Sequence, residues 1–233
     1  MKLGTYVEVR ARVDDQKAAA AFYQSLGFVP VSDDVLTDGA VNLRLDTLES
    51  PDVHLAYYGS DLDAIAAAGI AHTANIVVDH DQTRILLVAD ARAVPMPPGE
   101  PLGRESRSWL GKMGEYSLTV DSFERAAAFW QGCGFQALHT STTPYPWGIF
   151  SDGLIVIGIH QHVTLLADMP DTDSVPPALT YFAPDMADRV KQLLDAGIEL
   201  RLLVETSQPD GSPDNGLLVG PGNVWFYLFP GEV

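Results

Sequence analysis

From Tyr6 to Val13 the chain alternates apolar and polar residues, the pattern of a strand buried on one face. It then passes through Asp14 and Asp15, both N-cap candidates, into an alanine-rich run where Ala18, Phe22 and Leu26 fall on one helical face. Gly27 follows as a residue able to adopt the left-handed conformation that stops a helix. The same order returns later: a strand from Tyr116 to Val120, Asp121 or Ser122 as cap, a stripe of Ala126, Phe129, Trp130 and Cys133, and then Gly134. Even the wording repeats, with Phe22-Tyr23-Gln24-Ser25-Leu26-Gly27-Phe28 answered by Phe129-Trp130-Gln131-Gly132-Cys133-Gly134-Phe135. Self-similarity of this kind marks one supersecondary unit used again.

A shorter echo lies within each half. Ala178-Leu179-Thr180-Tyr181-Phe182 leads into a helix over 185–196 ended by Gly197, and His54-Leu55-Ala56-Tyr57-Tyr58 leads into one over 61–68 ended by Gly69. Strands are expected at 200–204, 216–219 and 224–229 after the first of these helices, and only at 75–78 and 84–88 after the second. The run Phe150 to His160 repeats the turn and strand of Leu36 to Asp46, each around an Asp-Gly pair. Between Glu205 and Gly216, Pro-Asp-Gly and Asp-Asn-Gly mark turns, read first as a hairpin loop and alternatively as a mobile lid. Proline and glycine crowd Val94 to Gly103, the composition of a linker. These features divide the chain into a first domain at 1–93, with modules at 4–50 and 53–93, a linker at 94–112, and a second domain at 113–233, with modules at 113–165 and 177–230.

Composition narrows the function. The 233 residues are 46 % apolar, enough for two ordinary cores, and carry 31 acids against 14 bases for a net charge of -17. That charge repels nucleic acid and anionic membranes. No run approaches the roughly 18 apolar residues of a membrane span, and Met1-Lys2-Leu3-Gly4 runs directly into the first strand. The chain is therefore expected to be cytoplasmic. Cys133, alone, has no internal disulfide partner and reads as a small core residue. No phosphate-binding glycine loop, nucleophile elbow or paired-cysteine zinc motif occurs.

Four strand-helix-strands modules, openings of the form strand, acid, helix, "FYxxLGF", and the Pro221-Gly222-Asn223 lead into the last strand resemble the vicinal oxygen chelate superfamily. That superfamily includes glyoxalase I, bleomycin-resistance proteins, fosfomycin-resistance enzymes and extradiol dioxygenases. The resemblance covers nearly the whole chain and implies an α+β fold of paired βαβββ modules, two to a domain. It also implies, for metal-dependent members, a divalent ion held from the first and last strands of each module. The first-strand slots, seven residues before the helix cap, fall on Glu8, His54, Glu115 and Ala178. The last-strand slots fall on Arg44 with Asp46 beyond, Leu86, Gly158 with His160 beyond, and Phe226.

Leu86, Ala178 and Phe226 offer no donor, so no metal is the leading expectation, with Glu8, Asp46 and His54 the alternative set. In the first domain Glu8, Arg10, Arg12, Arg44 and Asp46 predict either a polar face stitched by pairs such as Glu8 with Arg44 or an anion pocket. In the second, Glu115, Ser117, Thr119, His160, Thr180, Phe182 and Phe226 predict a mainly apolar cup, with Tyr145 and Trp147 at its rim or in the core. Glu115 and His160 are the candidate acid-base pair, or else a buried structural pair. His72, His80, His139 and His162 lack ligand spacing and receive no role. The leading expectation is a small, partly aromatic ligand bound without metal, as the bleomycin-resistance resemblance implies. The alternatives are a divalent-metal lyase, isomerase or dioxygenase, and a structural module that forms a homodimer with its cups filled.

Overall fold

A computed structural model of the chain describes residues 1–161, 175–205 and 213–233. The first repeat gives β1 (Tyr6–Arg12), α1 (Gln16–Ser25), β2 (Val29–Pro30), β3 (Val35–Thr37) and β4 (Asn42–Asp46). The second module gives β5 (Leu55–Tyr58), α2 (Leu62–Ala67), β6 (Ile76–Val78) and β7 (Arg84–Val88). After these come β8 (Lys112–Val120), α3 (Phe123–Gly132), β9 (Gln136–Ser141), β10 (Trp147–Ser151) and β11 (Val156–Gln161). The last module holds β12 (Ala178–Ala183), α4 (Met186–Asp195), β13 (Leu202–Glu205), β14 (Pro213–Gly220) and β15 (Val224–Pro230). Among the described residues these strands form a seven-stranded sheet, β2-β3-β4-β1-β5-β7-β6, and an eight-stranded sheet, β13-β14-β15-β12-β8-β11-β10-β9. This is the α+β, paired-module architecture expected from the repeats. No described helix is long and apolar enough to cross a membrane.

Local chemistry accounts for the helices. Asp15 accepts the Ala18 N–H at 2.9 Å and Ser122 the Arg125 N–H at 3.4 Å, so each repeat is capped by the side chain just before its helix. Gly27 and Gly134 close α1 and α3 at φ 95° and 97°, a region that a side chain at Cβ disfavours. One expectation shifts: the buried stripe of α1 is Ala19, Tyr23 and Leu26, while Ala18 is exposed and Phe22 half-buried. The hydroxyl of Tyr23 donates to the Pro221 carbonyl, so a whole tyrosine can be buried with its polar tip satisfied. In α3, likewise, Trp130 is the buried ring, and Phe129 lies half-buried edge-on to it at 5.6 Å.

The late turns also differ from expectation. Asp214-Asn215-Gly216, read as a turn, lies inside β14, where Asn215 pairs with Val204 and Gly216 with Leu203 and Leu228. The flanking strands are antiparallel, and the Pro-Asp-Gly expected at the bend lies outside the described residues, as does His162.

Chain contacts divide the molecule into two units, one of Met1–Arg10, Pro51–Met96 and Tyr116–Pro177, the other of Ala11–Ser50, Pro97–Glu115 and Ala178–Val233. Each holds a buried tyrosine-aspartate bond at an Asp-Gly turn. In the first unit Asp152 accepts the Leu154 and Ile155 N–H groups at 2.8 and 3.0 Å on one oxygen and the Tyr57 hydroxyl at 2.8 Å on the other. In the second unit Asp38 accepts the Ala40 and Val41 N–H groups at 2.8 and 2.9 Å, and its other oxygen takes Tyr181 at 2.7 Å and Ser106 at 2.8 Å. Burial and the adjacent carboxylate push both tyrosine hydroxyls well above their ordinary pKa, so each stays a donor. The segment expected as a linker is tied down in the second unit: Arg104 donates to the Ala40 carbonyl at 3.1 Å, and the Ser108 hydroxyl to that of Leu26 at 2.9 Å.

Candidate functional site

Two sheet faces in the first unit carry several of the residues singled out by sequence, among them Glu8, His54, Ser117, Thr119, Trp147 and His160. On the seven-stranded sheet, β1 and β5 pair Tyr6 with Tyr58 and Glu8 with Ala56, while β5 and β7 pair Ala56 with Leu86 and Tyr58 with Val88. Cross-strand partners share a face, so Glu8 lies among aromatic and apolar side chains. It is fully buried, and its Oε1 accepts the Tyr6 hydroxyl at 3.0 Å and Arg92 Nε at 2.9 Å. The Arg92 guanidinium lies 5.2 Å from the centroid of the Tyr58 ring. Val94 and Met96, read as the start of a linker, pack against Tyr6, Ala56 and Tyr58, and the Val7 N–H points at the Met96 sulfur at 3.5 Å.

The other charged residues are also engaged. Arg44 binds Asp46 and Asp34, each at 2.9 Å. His54 is half-buried, and its Nδ1 accepts the Arg84 backbone N–H at 3.0 Å while the His54 backbone N–H donates to the Arg84 carbonyl at 2.9 Å. Burial lowers its pKa, Arg84 lowers it further, and Asp52 acts against both.

On the eight-stranded sheet, register pairs Ser117 with Gly158, Thr119 with His160 and His160 with Trp147. Ser117, Thr119, His160 and Trp147 therefore share one face. The Trp147 ring is parallel to the His160 imidazole, 5° between planes and 6.1 Å between centroids, an offset stack. Tyr145 meets His160 edge-on at 6.2 Å, His139 lies 5.0 Å from Trp147, and the Trp147 indole N–H donates to the Thr143 carbonyl at 3.1 Å. Trp147, Tyr145 and His160 are partly exposed, so Trp147 belongs to this face rather than to the core.

Glu115, on β8 four positions before Thr119, is buried. The acid-base pair expected of Glu115 and His160 falls on residues of different units. In the second unit, Phe226 pairs with Leu179 and Phe182 with Phe229, so the two phenylalanines expected on one face lie on opposite faces. Phe226 is fully buried among Tyr181, Tyr23 and Phe28 at 6.2, 6.2 and 6.4 Å, and Phe182 meets Phe229 at 6.0 Å.

Sequence reasoning passed over Arg92 and His139. Nothing local marks Arg92, which acts on a residue 84 positions away. His139 was within reach, because it shares its parity with Ser141, the partner of Trp147.

No family model matches the sequence, and no curated protein matches it. Solved structures do match. A catechol 2,3-dioxygenase aligns at TM-score 0.53 with 13 % identity, over 100 % of this chain and 94 % of that one. The 2,3-dioxygenase LapB from Pseudomonas sp. KL28 aligns at 0.55 with 10 % identity, again over 100 % and 94 %. A Mn(II)-bound glyoxalase from Novosphingobium aromaticivorans aligns at 0.50 with 18 % identity, over 97 % of this chain and 82 % of that one. The chain has the vicinal oxygen chelate fold.

That fold raises the question of a metal, and the donor set here does not fit one. At Glu8 the Arg92 guanidinium already holds one carboxylate oxygen and its charge repels a divalent ion, and at His54 such an ion would compete with a backbone N–H for the Nδ1 lone pair. Asp46 is held by Arg44. Among the described residues no three His, Cys, Asp or Glu side chains converge as a ligand set.

Proposed function

We propose that this protein of vicinal oxygen chelate fold binds a small, partly aromatic molecule without a metal, on the face that carries Trp147 and His160. The observation behind this reading is the partly exposed stack of Trp147 on His160, flanked by Tyr145 and followed by Thr119 and Ser117 on the same face. Flat rings offer a planar guest affinity, and sparse hydroxyls orient it. Fluorescence titration with planar heteroaromatic compounds tests it: saturable quenching that chelator leaves unchanged and His160→Ala weakens at least tenfold supports the reading. Quenching that is indifferent to His160→Ala overturns it.

A second reading, a divalent-metal lyase, isomerase or dioxygenase, draws on the dioxygenases and the Mn(II)-bound glyoxalase that share the fold. Elemental analysis of protein purified without chelator separates the two. One tightly held Mn, Fe, Ni or Zn per chain, lost in Glu8→Ala, favours the metal enzyme.

A further inference from the structure

We propose that the seven-stranded sheet carries a binding box for an alkylguanidinium cation, occupied in cis by Arg92. Three features compose the box. Its floor is Glu8, fully buried, whose Oε1 is fixed by the Tyr6 hydroxyl at 3.0 Å and faces Arg92 Nε at 2.9 Å. Its wall is the Tyr58 ring, 5.2 Å from the guanidinium carbon and braced edge-on by Tyr6 at 5.7 Å. Its cover is the chain after Arg92, where Val94 and Met96 pack on the same rings.

A buried carboxylate beside an aromatic face is the arrangement that recognises a planar organic cation, by a charge-assisted hydrogen bond and by attraction to the ring quadrupole. An ammonium matches it less well, being a compact, strongly hydrated point charge without the planar fork. The occupant differs from a cofactor only in its tether: Arg92 reaches the box from a loop, with its side chain about one-fifth exposed. Removing the arginine beyond Cβ should leave a site of its own shape and charge, open to a free guanidinium of the same size.

The test is chemical rescue of the full-length chain. Arg92→Ala is expected to melt earlier than the parent, and millimolar ethylguanidinium should raise its melting temperature saturably by about 3 °C. The parent and the double variant Glu8→Gln with Arg92→Ala should show no such rise, and ethylammonium should give less than half of it. If Arg92→Ala does not fold, Arg92→Met keeps most of the apolar stem and is read in the same way. Should neither fold, the yield of Arg92→Ala refolded from urea with ethylguanidinium, against ethylammonium, reads the same recognition. No ethylguanidinium effect, an equal effect in the double variant, or an equal effect of ethylammonium overturns the proposal.

Discussion

The first unit presents two faces built from the same kind of module, and they have been finished in opposite ways. On the seven-stranded sheet the first-strand slot holds Glu8, and the chain supplies its own cation and cover from Arg92 to Met96. On the eight-stranded sheet the positions beyond the slot hold Ser117 and Thr119, and beside them lies a partly exposed stack of Trp147 on His160. The fold sets where side chains converge, and the residues placed there decide how each face is finished.

The comparison breaks most sharply at Arg92. Removing one partner of a buried ion pair costs about 3 kcal/mol or more. Arg92→Ala should therefore lose that much in urea unfolding, and Glu8→Gln in the same chain should recover part of it. Trp147→Ala, which removes a partly exposed ring, should cost about 1 kcal/mol. Equal losses would mean that the two faces do not differ in the way their side chains are used.

A second contrast lies between the units. Tyr57→Phe takes the tyrosine donor from Asp152 Oδ2, and should cost about 2 kcal/mol. Tyr181→Phe leaves Ser106 on the corresponding oxygen of Asp38, so about 1 kcal/mol is expected. Urea denaturation of the two variants checks the order. Reversal would show that the hydroxyl of Ser106 does not share the work of Tyr181.

What the sequence made legible follows the range of each signal. The repeat, the caps at Asp15 and Ser122 and the glycine stops are local, and period-two alternation set Ser117, Thr119 and His160 on one face correctly. Phe182 and Phe226, expected on one face, lie on opposite ones, because the slot that the resemblance implies for Phe226 carries no register between β15 and β12. The segment after Val94 read as linker because composition speaks of backbone freedom and says nothing of the sheet that Val94 and Met96 cover. Tyr23 replaced Phe22 in the core because a distant carbonyl, that of Pro221, satisfies its hydroxyl.

The smallest expected effect is a pair of opposed pH slopes. His54 lies beside the closed face with its pKa lowered from 6.5 by burial, so the unfolded chain binds the proton more readily. Its contribution to stability is complete above pH 6.5 and is lost as pH falls through the lowered folded value. Asp79, beyond β6, is raised from 3.8 by burial, although it accepts the Asp81 and Thr83 N–H groups at 2.9 and 2.7 Å. Here the folded state holds the proton more tightly, so the contribution is complete below pH 3.8 and is lost as pH rises through the raised value. Each group can be neutralised while its acceptor is kept. His54→Asn should flatten the fall in melting temperature on acidification below pH 6.5, and Asp79→Asn should match or exceed the parent at pH 7 while steepening that fall. Melting curves from pH 4 to 8 distinguish the outcomes. If Asp79→Asn melts lower than the parent at pH 7, the ionised carboxylate is being stabilised by its backbone donors more than burial opposes it.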